Sequence, residues 1–295
     1  MNAPVPTLPS WLDRTLWPWP GRTVPTDDGG LHVTEVGEGP PILFVHGTPT
    51  WSIDWRHQVR ALSDDHRCIT VDHLGFGLSD RPADAGYRPE DHAARFARLA
   101  DALDLHGVTV VVHDFGGPIA LPWVLDHAER VARVVVLNSF AWPLQAPAER
   151  FAAGIAGSFL GRLLYRWFNL SVRVIAPSAW ADRSKLTPAL FAQHTAPFHV
   201  PADRVGVLWA LARALRKSEA HYRAIEARLP ELADTPVDII WGTADPTFGP
   251  AHLARWQQAL PHARVLALDG VGHWPHEEAP QAVTDRLRAA PGRAS

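Results

Sequence analysis

At 295 residues the chain is long enough to bury a full core, either as one large α/β domain or as two small ones. Apolar residues at 46% and charged residues at 20% are ordinary globular values, and a net charge of −3 gives no electrostatic reason to expect nucleic acid or an anionic membrane as partner. A single cysteine, Cys68, excludes an intrachain disulfide, and no apolar run reaches the roughly 18 residues that a membrane span needs. Without a continuous apolar signal segment near the start, a cytoplasmic protein is expected.

In chain order, residues 1–29 are proline-rich and are expected to wrap the surface as an irregular arm. Strand-like apolar runs follow at Leu31–Val36, Pro41–Val45, Arg67–Val71 and Val108–Val112. Between the last two, Ala93, Phe96, Leu99 and Leu103 fall at helical spacing and predict a helix over Pro89–Leu105. A second helix is predicted from just after Asp114 to about Arg130, then a strand at Val131–Leu137. Alternation of this kind predicts a mostly parallel sheet with helices on both faces. It breaks at Asn138. From 141 to 229 only helical pieces are readable, at Ala152–Phe168, Pro188–Gln193 and Arg204–Arg228. Strands resume at Val237–Trp241 and Ala263–Leu268, and a last helix is predicted from Pro275 to Ala289. The expected organisation is therefore an α/β core of residues 30–140 and 230–295 with a helical cap, 141–229, over the carboxyl ends of the strands, where open α/β sheets place ligands.

The chemistry gathers at those strand ends. Val108–Val112 runs into His113-Asp114-Phe115-Gly116-Gly117, a buried strand followed by a sharp turn with one reactive side chain at its apex. The apex residue is Asp114, a carboxylate where acyl hydrolases carry serine. A carboxylate suits displacement at a saturated carbon, which leaves an alkyl ester on the enzyme for water to cleave. The hydrolytic half needs a base near neutrality, and His273 supplies one just past the last strand. Asp245, past the strand before it, can hold the imidazole's tautomer as triad acid. The order Asp114, Asp245, His273 is that of an α/β-hydrolase fold. The turn at His46-Gly47-Thr48 and the residue after the nucleophile, Phe115, are expected to form the oxyanion or leaving-group site. No metal or other cofactor is expected: His273, His276 and Glu277 lie close in sequence but lack a His-Glu-x-x-His pattern and a cysteine ligand. Serine-type esterase chemistry is disfavoured because Ser52, Ser79 and Ser139 sit on no such elbow.

With these residues assembled, the chain resembles the haloalkane dehalogenases of the α/β-hydrolase superfamily. The likeness rests on His46-Gly47-Thr48-Pro49-Thr50-Trp51-Ser52, Asp72-His73-Leu74-Gly75-Phe76-Gly77-Leu78-Ser79, His113–Gly117 and Gly272-His273. It implies that Asp114 displaces halide and that His273 activates the water that releases alcohol, with a small apolar substrate entering between sheet and cap. The chain departs from the family where halide is gripped: Phe115 stands in place of a tryptophan, and Thr48 in place of an asparagine. Substitute N–H donors, or other substrate contacts, are sought in Trp51, Trp167 and Trp180. Epoxide hydrolases of the same superfamily open the ring with cap tyrosines, for which Tyr165 and Tyr222 are the candidates. A third reading is a repurposed hydrolase fold that binds a small apolar ligand. The sequence leaves oligomeric state open.

Overall fold

The computed structural model describes residues 8–292. Eight strands make one sheet: β1 (Arg22–Thr26), β2 (Gly29–Val36), β3 (Pro41–Val45), β4 (Arg67–Asp72), β5 (Val108–Asp114), β6 (Val131–Ser139), β7 (Val237–Gly242) and β8 (Arg264–Leu268). Their order is β1-β2-β4-β3-β5-β6-β7-β8. The β1–β2 and β2–β4 pairs are antiparallel and every other pair is parallel. This is the expected mostly parallel sheet of an α/β-hydrolase fold. The central strands are apolar throughout because both faces are covered. Val110 and Val112 of β5 join the core on one face, with Phe96 and Leu99 of α2 (Pro89–Ala102). Val111 points to the other face, with Val59 and Leu62 of α1 (Arg56–Leu62) and Val283 and Leu287 near the C-terminus. Each fully buried valine or leucine of this kind stabilises the fold by about 1.5–3 kcal/mol.

Several expectations change on folding. The first seven residues of the expected arm lie outside the described residues. Its later part is not irregular, because Arg22–Thr26 pairs antiparallel with β2 and extends the sheet edge. The predicted helix after Asp114, α3 (Gly116–Asp126), stops short of Arg130, and Ala128–Arg130 forms a separate 3₁₀ turn. Ala152–Phe168 is two helices, α4 (Pro147–Ala156) and α5 (Phe159–Phe168), because the Ser158 hydroxyl accepts the Gly161 N–H and starts a new helix. The last helix breaks at Ala279 (φ −135°), since Pro280 disfavours helical backbone in the residue before it. The 3₁₀ turn Ser52–Trp55 and α1 carry no pattern that the sequence reading used. Among the described residues no helix is long and apolar enough to cross a membrane.

A buried ion cluster closes the C-terminal side. Arg133 of β6 donates from Nε to Asp238 of β7 at 2.6 Å, and Arg264 and Arg286 reach the same carboxylate at 3.0 and 3.1 Å. Arg133 also donates to the carbonyls of Arg286, Leu287 and Ala289, which ties the final helix to the sheet. Asp238→Ala would strand a buried guanidinium, so it is expected to cost about 3–5 kcal/mol in urea unfolding. A loss below about 1 kcal/mol would show that water reaches Arg133 readily.

Candidate active site

β5 ends at Asp114 in left-handed backbone (φ 51°), and α3 (Gly116–Asp126) begins two residues later. A side chain in this conformation is strained by an amount on the order of 1–3 kcal/mol, and packing around the turn holds it. The packing leaves no room for neighbours. A β-carbon at Gly116 would lie 2.3 Å from the Val45 carbonyl oxygen, and one at Gly117 would lie 2.2 Å from the Ser139 hydroxyl. From the facing loop, a β-carbon at Gly47 would meet the Asp114 carboxylate at 2.3 Å. The two glycines after Asp114 and the His-Gly turn are thus two sides of one constraint.

The Asp72–Ser79 stretch supports this loop from below. Asp72 accepts the backbone N–H groups of Ser52 and Leu78, each at 2.8 Å, so one buried carboxylate fixes both the 46–52 loop and the turn after β4. His73 donates from Nε2 to the His46 carbonyl at 3.0 Å.

Asp114, Asp245 and His273 come together as the sequence predicts. His273 donates from Nδ1 to Asp245 Oδ2 at 2.7 Å, and its Nε2 lies 3.7 Å from Asp114 Oδ2. The gap to Asp114 is longer than a hydrogen bond. The Thr48 backbone N–H donates to Asp114 Oδ1 at 2.7 Å, and the Phe115 N–H supports the same carboxylate. Thr48 therefore contributes through its backbone. Its hydroxyl is buried and makes no hydrogen bond. Asn138, which cannot ionise and so cannot itself be an acid, positions Asp245. Its Nδ2 donates to Asp245 Oδ2 at 2.8 Å and to the Gly242 carbonyl, while its Oδ1 accepts the Gly242 N–H. An asparagine at the end of the strand preceding the break was the available signal.

Burial pushes the Asp114 carboxyl up to about 6, against the pull of His273 and the two backbone N–H groups. For His273, burial acts against the charged form, but Asp245 and Asp114 outweigh it and raise the imidazole above its ordinary value. Asp245 is also opposed by burial, yet His273, Asn138 and the Thr247 N–H hold it below the usual carboxylate range.

Asp114 and His273 both line a cavity of about 540 Å³. Its other walls are mostly apolar and come largely from residues 144–215, including Leu144, Ala152, Tyr165, Leu208 and Leu215. Of the side chains proposed as substrate contacts, only Tyr165 lines it, together with Phe115. Trp51 is buried beside Trp11 and Trp17 and donates to the Gln193 carbonyl. Trp167 is 63% exposed on the outer surface. Trp180 stacks on Trp274 beside the cavity. Trp274 does line the cavity, but its Nε1 is buried and without a partner. Tyr222 packs on Phe140, which packs edge-on to Phe115, and its buried hydroxyl has no partner. The two tyrosines are therefore not brought together on the cavity wall. Two features explain the misplacements: the apolar stripe of α5 faces outward, and Trp51 turns into the N-terminal segment.

The His273–His276–Glu277 set does not assemble as metal ligands. Glu277 is held by Arg56 at 2.7 Å, and His276 stacks on Trp55. His276 instead lies with Asp54 and His113, whose ligand-type atoms fall within 4.8 Å of one another. Among the described residues these three form the group that could hold an ion. His113 donates from Nε2 to the His273 carbonyl at 2.8 Å and so steadies the loop that carries His273.

The family model for the alpha/beta hydrolase fold matches residues 40–280, and the chain belongs to that family. Within it, the chain is haloalkane dehalogenase-like. It is 33% identical to a cis-3-alkyl-4-alkyloxetan-2-one decarboxylase of Shewanella oneidensis, over 93% of this chain and 89% of that protein. It is 31% identical to haloalkane dehalogenase 2 of Mycobacterium tuberculosis, over 94% and 96% respectively. The haloalkane dehalogenase DatA of Agrobacterium tumefaciens superposes with a TM-score of 0.81 at 26% identity, covering 90% of this chain and 94% of that one.

The raised Asp114 carboxyl has a stability consequence. Folding favours its protonated form, so its contribution is fully present below the ordinary value of 3.8 and is lost as pH rises through about 6. Asp114→Asn is therefore expected to be more stable than the wild type at about pH 8, by up to about 3 kcal/mol, with the advantage fading toward about pH 4. Equal melting temperatures across that range would mean that Asp114 ionises in the fold without cost.

Proposed function

We propose that Asp114 is the nucleophile of a two-step hydrolase acting at a saturated carbon, with His273 as base and Asp245 as the acid that orients it. The observation that carries this reading is the placement of a strained, buried carboxylate on an apolar cavity, 3.7 Å from an imidazole that is itself anchored on a second carboxylate. A protein that only bound an apolar ligand would have no physical need to bear the cost of burying Asp114. Residues 141–229 act in this reading as the cap.

In the first step an Asp114 oxygen forms a bond to the substrate carbon as the leaving group departs with its electron pair, which gives an alkyl ester. Esterification also removes the Asp114 charge, one of three anions, with Asp245 and Asp54, that raise His273, so the imidazole gives up its own proton more readily and stands neutral, free to accept one from water, in the second step. Water then gives a proton to His273 and attacks the ester carbon. The oxyanion that develops on Asp114 is met by the Thr48 N–H, which points at Oδ1, and by the Phe115 N–H on the same carboxylate. The tetrahedral carbon collapses, its hydroxyl proton leaves with the alkoxide as alcohol, the Asp114 carboxylate is restored, and His273 releases its proton to solvent.

The leading substrate class is a haloalkane, cleaved to alcohol and halide. With the Phe115 side chain lacking an N–H, and with the Thr48 hydroxyl and Trp274 Nε1 buried, this site has a weak grip on a departing halide. Loss of one such donor costs about 3 kcal/mol, so bromide and iodide are the expected leaving groups and chloride a poor one. That same absence favours a second reading, a four-membered cyclic ester bearing alkyl chains, as in the name of the Shewanella oneidensis relative. There Asp114 would open the ring at the carbon that bears oxygen, and the leaving carboxylate would stay attached. Loss of carbon dioxide with expulsion of Asp114 would then give an alkene.

Two experiments test this. Asp114→Asn should abolish turnover on both a bromoalkane panel and a dialkyl oxetan-2-one. Full activity in this variant would sink the nucleophile assignment. His273→Phe should accumulate a bromoalkane-derived adduct on the Asp114 peptide, seen as a mass increase. In labelled water, a single wild-type turnover should place ¹⁸O in Asp114 rather than in the alcohol. Label found in the alcohol would mean that water attacks the substrate directly.

A further inference from the structure

Among the described residues, every large apolar side chain that stands exposed lies between residues 151 and 200. α5 arranges several of them on one stripe. Phe159, Leu160, Leu163 and Trp167 fall within about 100° of arc around its axis, while Gly161 and Tyr165, on the opposite side, are buried. Phe159 is 70% exposed and Phe151, on α4, is 71% exposed. A contiguous exposed apolar face of this kind marks a docking surface.

The charges around it are mostly of one sign, with Glu149 at the start of α4 and Asp203 and Asp182 at the margins as the exceptions. Residues 151–181 contain Arg162, Arg166 and Arg173 and no aspartate or glutamate; residues 204–217 contain Arg204, Arg213, Arg216 and Lys217, again with no acid. The chain as a whole carries −3, so this is local segregation. Arg162 and Arg166 border one edge of the α5 stripe. Arg213 and Arg216 come from the helix Ala210–Lys217 and reach over α4, close enough that a β-carbon at Gly154 would sit 2.8 Å from an Arg216 Nη. Arg162 and Arg213 lie over the Trp209 ring, and Arg166 lies over Trp167.

We propose that this face docks on an anionic lipid bilayer, with the outer sides of α4 and α5 lying in the interfacial plane and the arginines meeting lipid phosphates. An apolar aromatic stripe edged by cations is the pattern of an interfacial helix, and no span is required. The excess of cations argues against a second copy, since a two-fold contact would set Arg162, Arg166, Arg213 and Arg216 against their own copies with few carboxylates to offset them. The face also borders the cavity: Ala152 and Ile175 are exposed and line the cavity as well, so an apolar molecule leaving the bilayer would meet its mouth.

Flotation of the full chain with vesicles tests docking without reference to turnover, so its failure is distinct from failure of the proposed reaction. Wild type should float with mixed phosphatidylcholine–phosphatidylglycerol vesicles, less with phosphatidylcholine alone, and less in both as salt rises. Phe159→Ser combined with Trp167→Ser should abolish flotation. Arg213→Gln with Arg216→Gln should weaken binding to the mixed vesicles on the order of 20-fold. All four side chains lie at the surface, and melting temperature checks that each variant stays folded. The proposal is overturned if wild type floats with neither vesicle, or if the variants float as it does. It is also overturned if sedimentation shows a dimer that the apolar variant dissociates while vesicles stay bare; the face then belongs to a second copy.

Discussion

Asp114 is held in left-handed backbone at the end of the central strand, and much of the surrounding architecture exists to hold it there. Gly116 and Gly117 give way to Val45 and Ser139, Gly47 gives way to the carboxylate itself, and the Thr48 N–H fixes one carboxylate oxygen. Such strain persists only where neighbours over-determine it. Here β3 and β6 flank β5 on either side, and both contribute atoms to the turn. The sheet therefore acts as a clamp on one dihedral angle.

The electrostatics follow from the same burial. A dry environment disfavours the Asp114 anion, and His273 offsets part of that cost by standing close without bonding to it. Asp245 keeps the imidazole in place and is itself held by Asn138 and the Thr247 N–H. The chain of hydrogen bonds runs from β6 through the loop after β7 to the loop after β8, so three strand ends share one orientation problem. Removing any link would leave a buried polar group without its partner, which costs more than the bond itself contributes.

Much of this was legible because it depends on local pattern. Strand periodicity placed β2 to β8 within a few residues, and chain order identified Asp114, Asp245 and His273. The tertiary contacts were less legible. Asn138 stood in the sequence only as the point where the alternation breaks, and it proved to be the support of Asp245. Trp167 and Trp51 looked equivalent as tryptophans, yet one stands in solvent and the other is sealed by the N-terminal segment. In helices 141–229 the apolar residues mark both inward and outward faces, and composition does not distinguish a core stripe from an exposed one.

The sequence by itself determined the sheet, the elbow and the three polar residues, since each follows from spacing, from glycine's lack of a side chain and from the order of loops along the chain. Only the tertiary structure decided which face of α5 turns outward, which tyrosine reaches the cavity and which backbone N–H groups meet Asp114. Those outcomes depend on how separate segments pack, and packing is settled by shape complementarity among residues far apart in sequence.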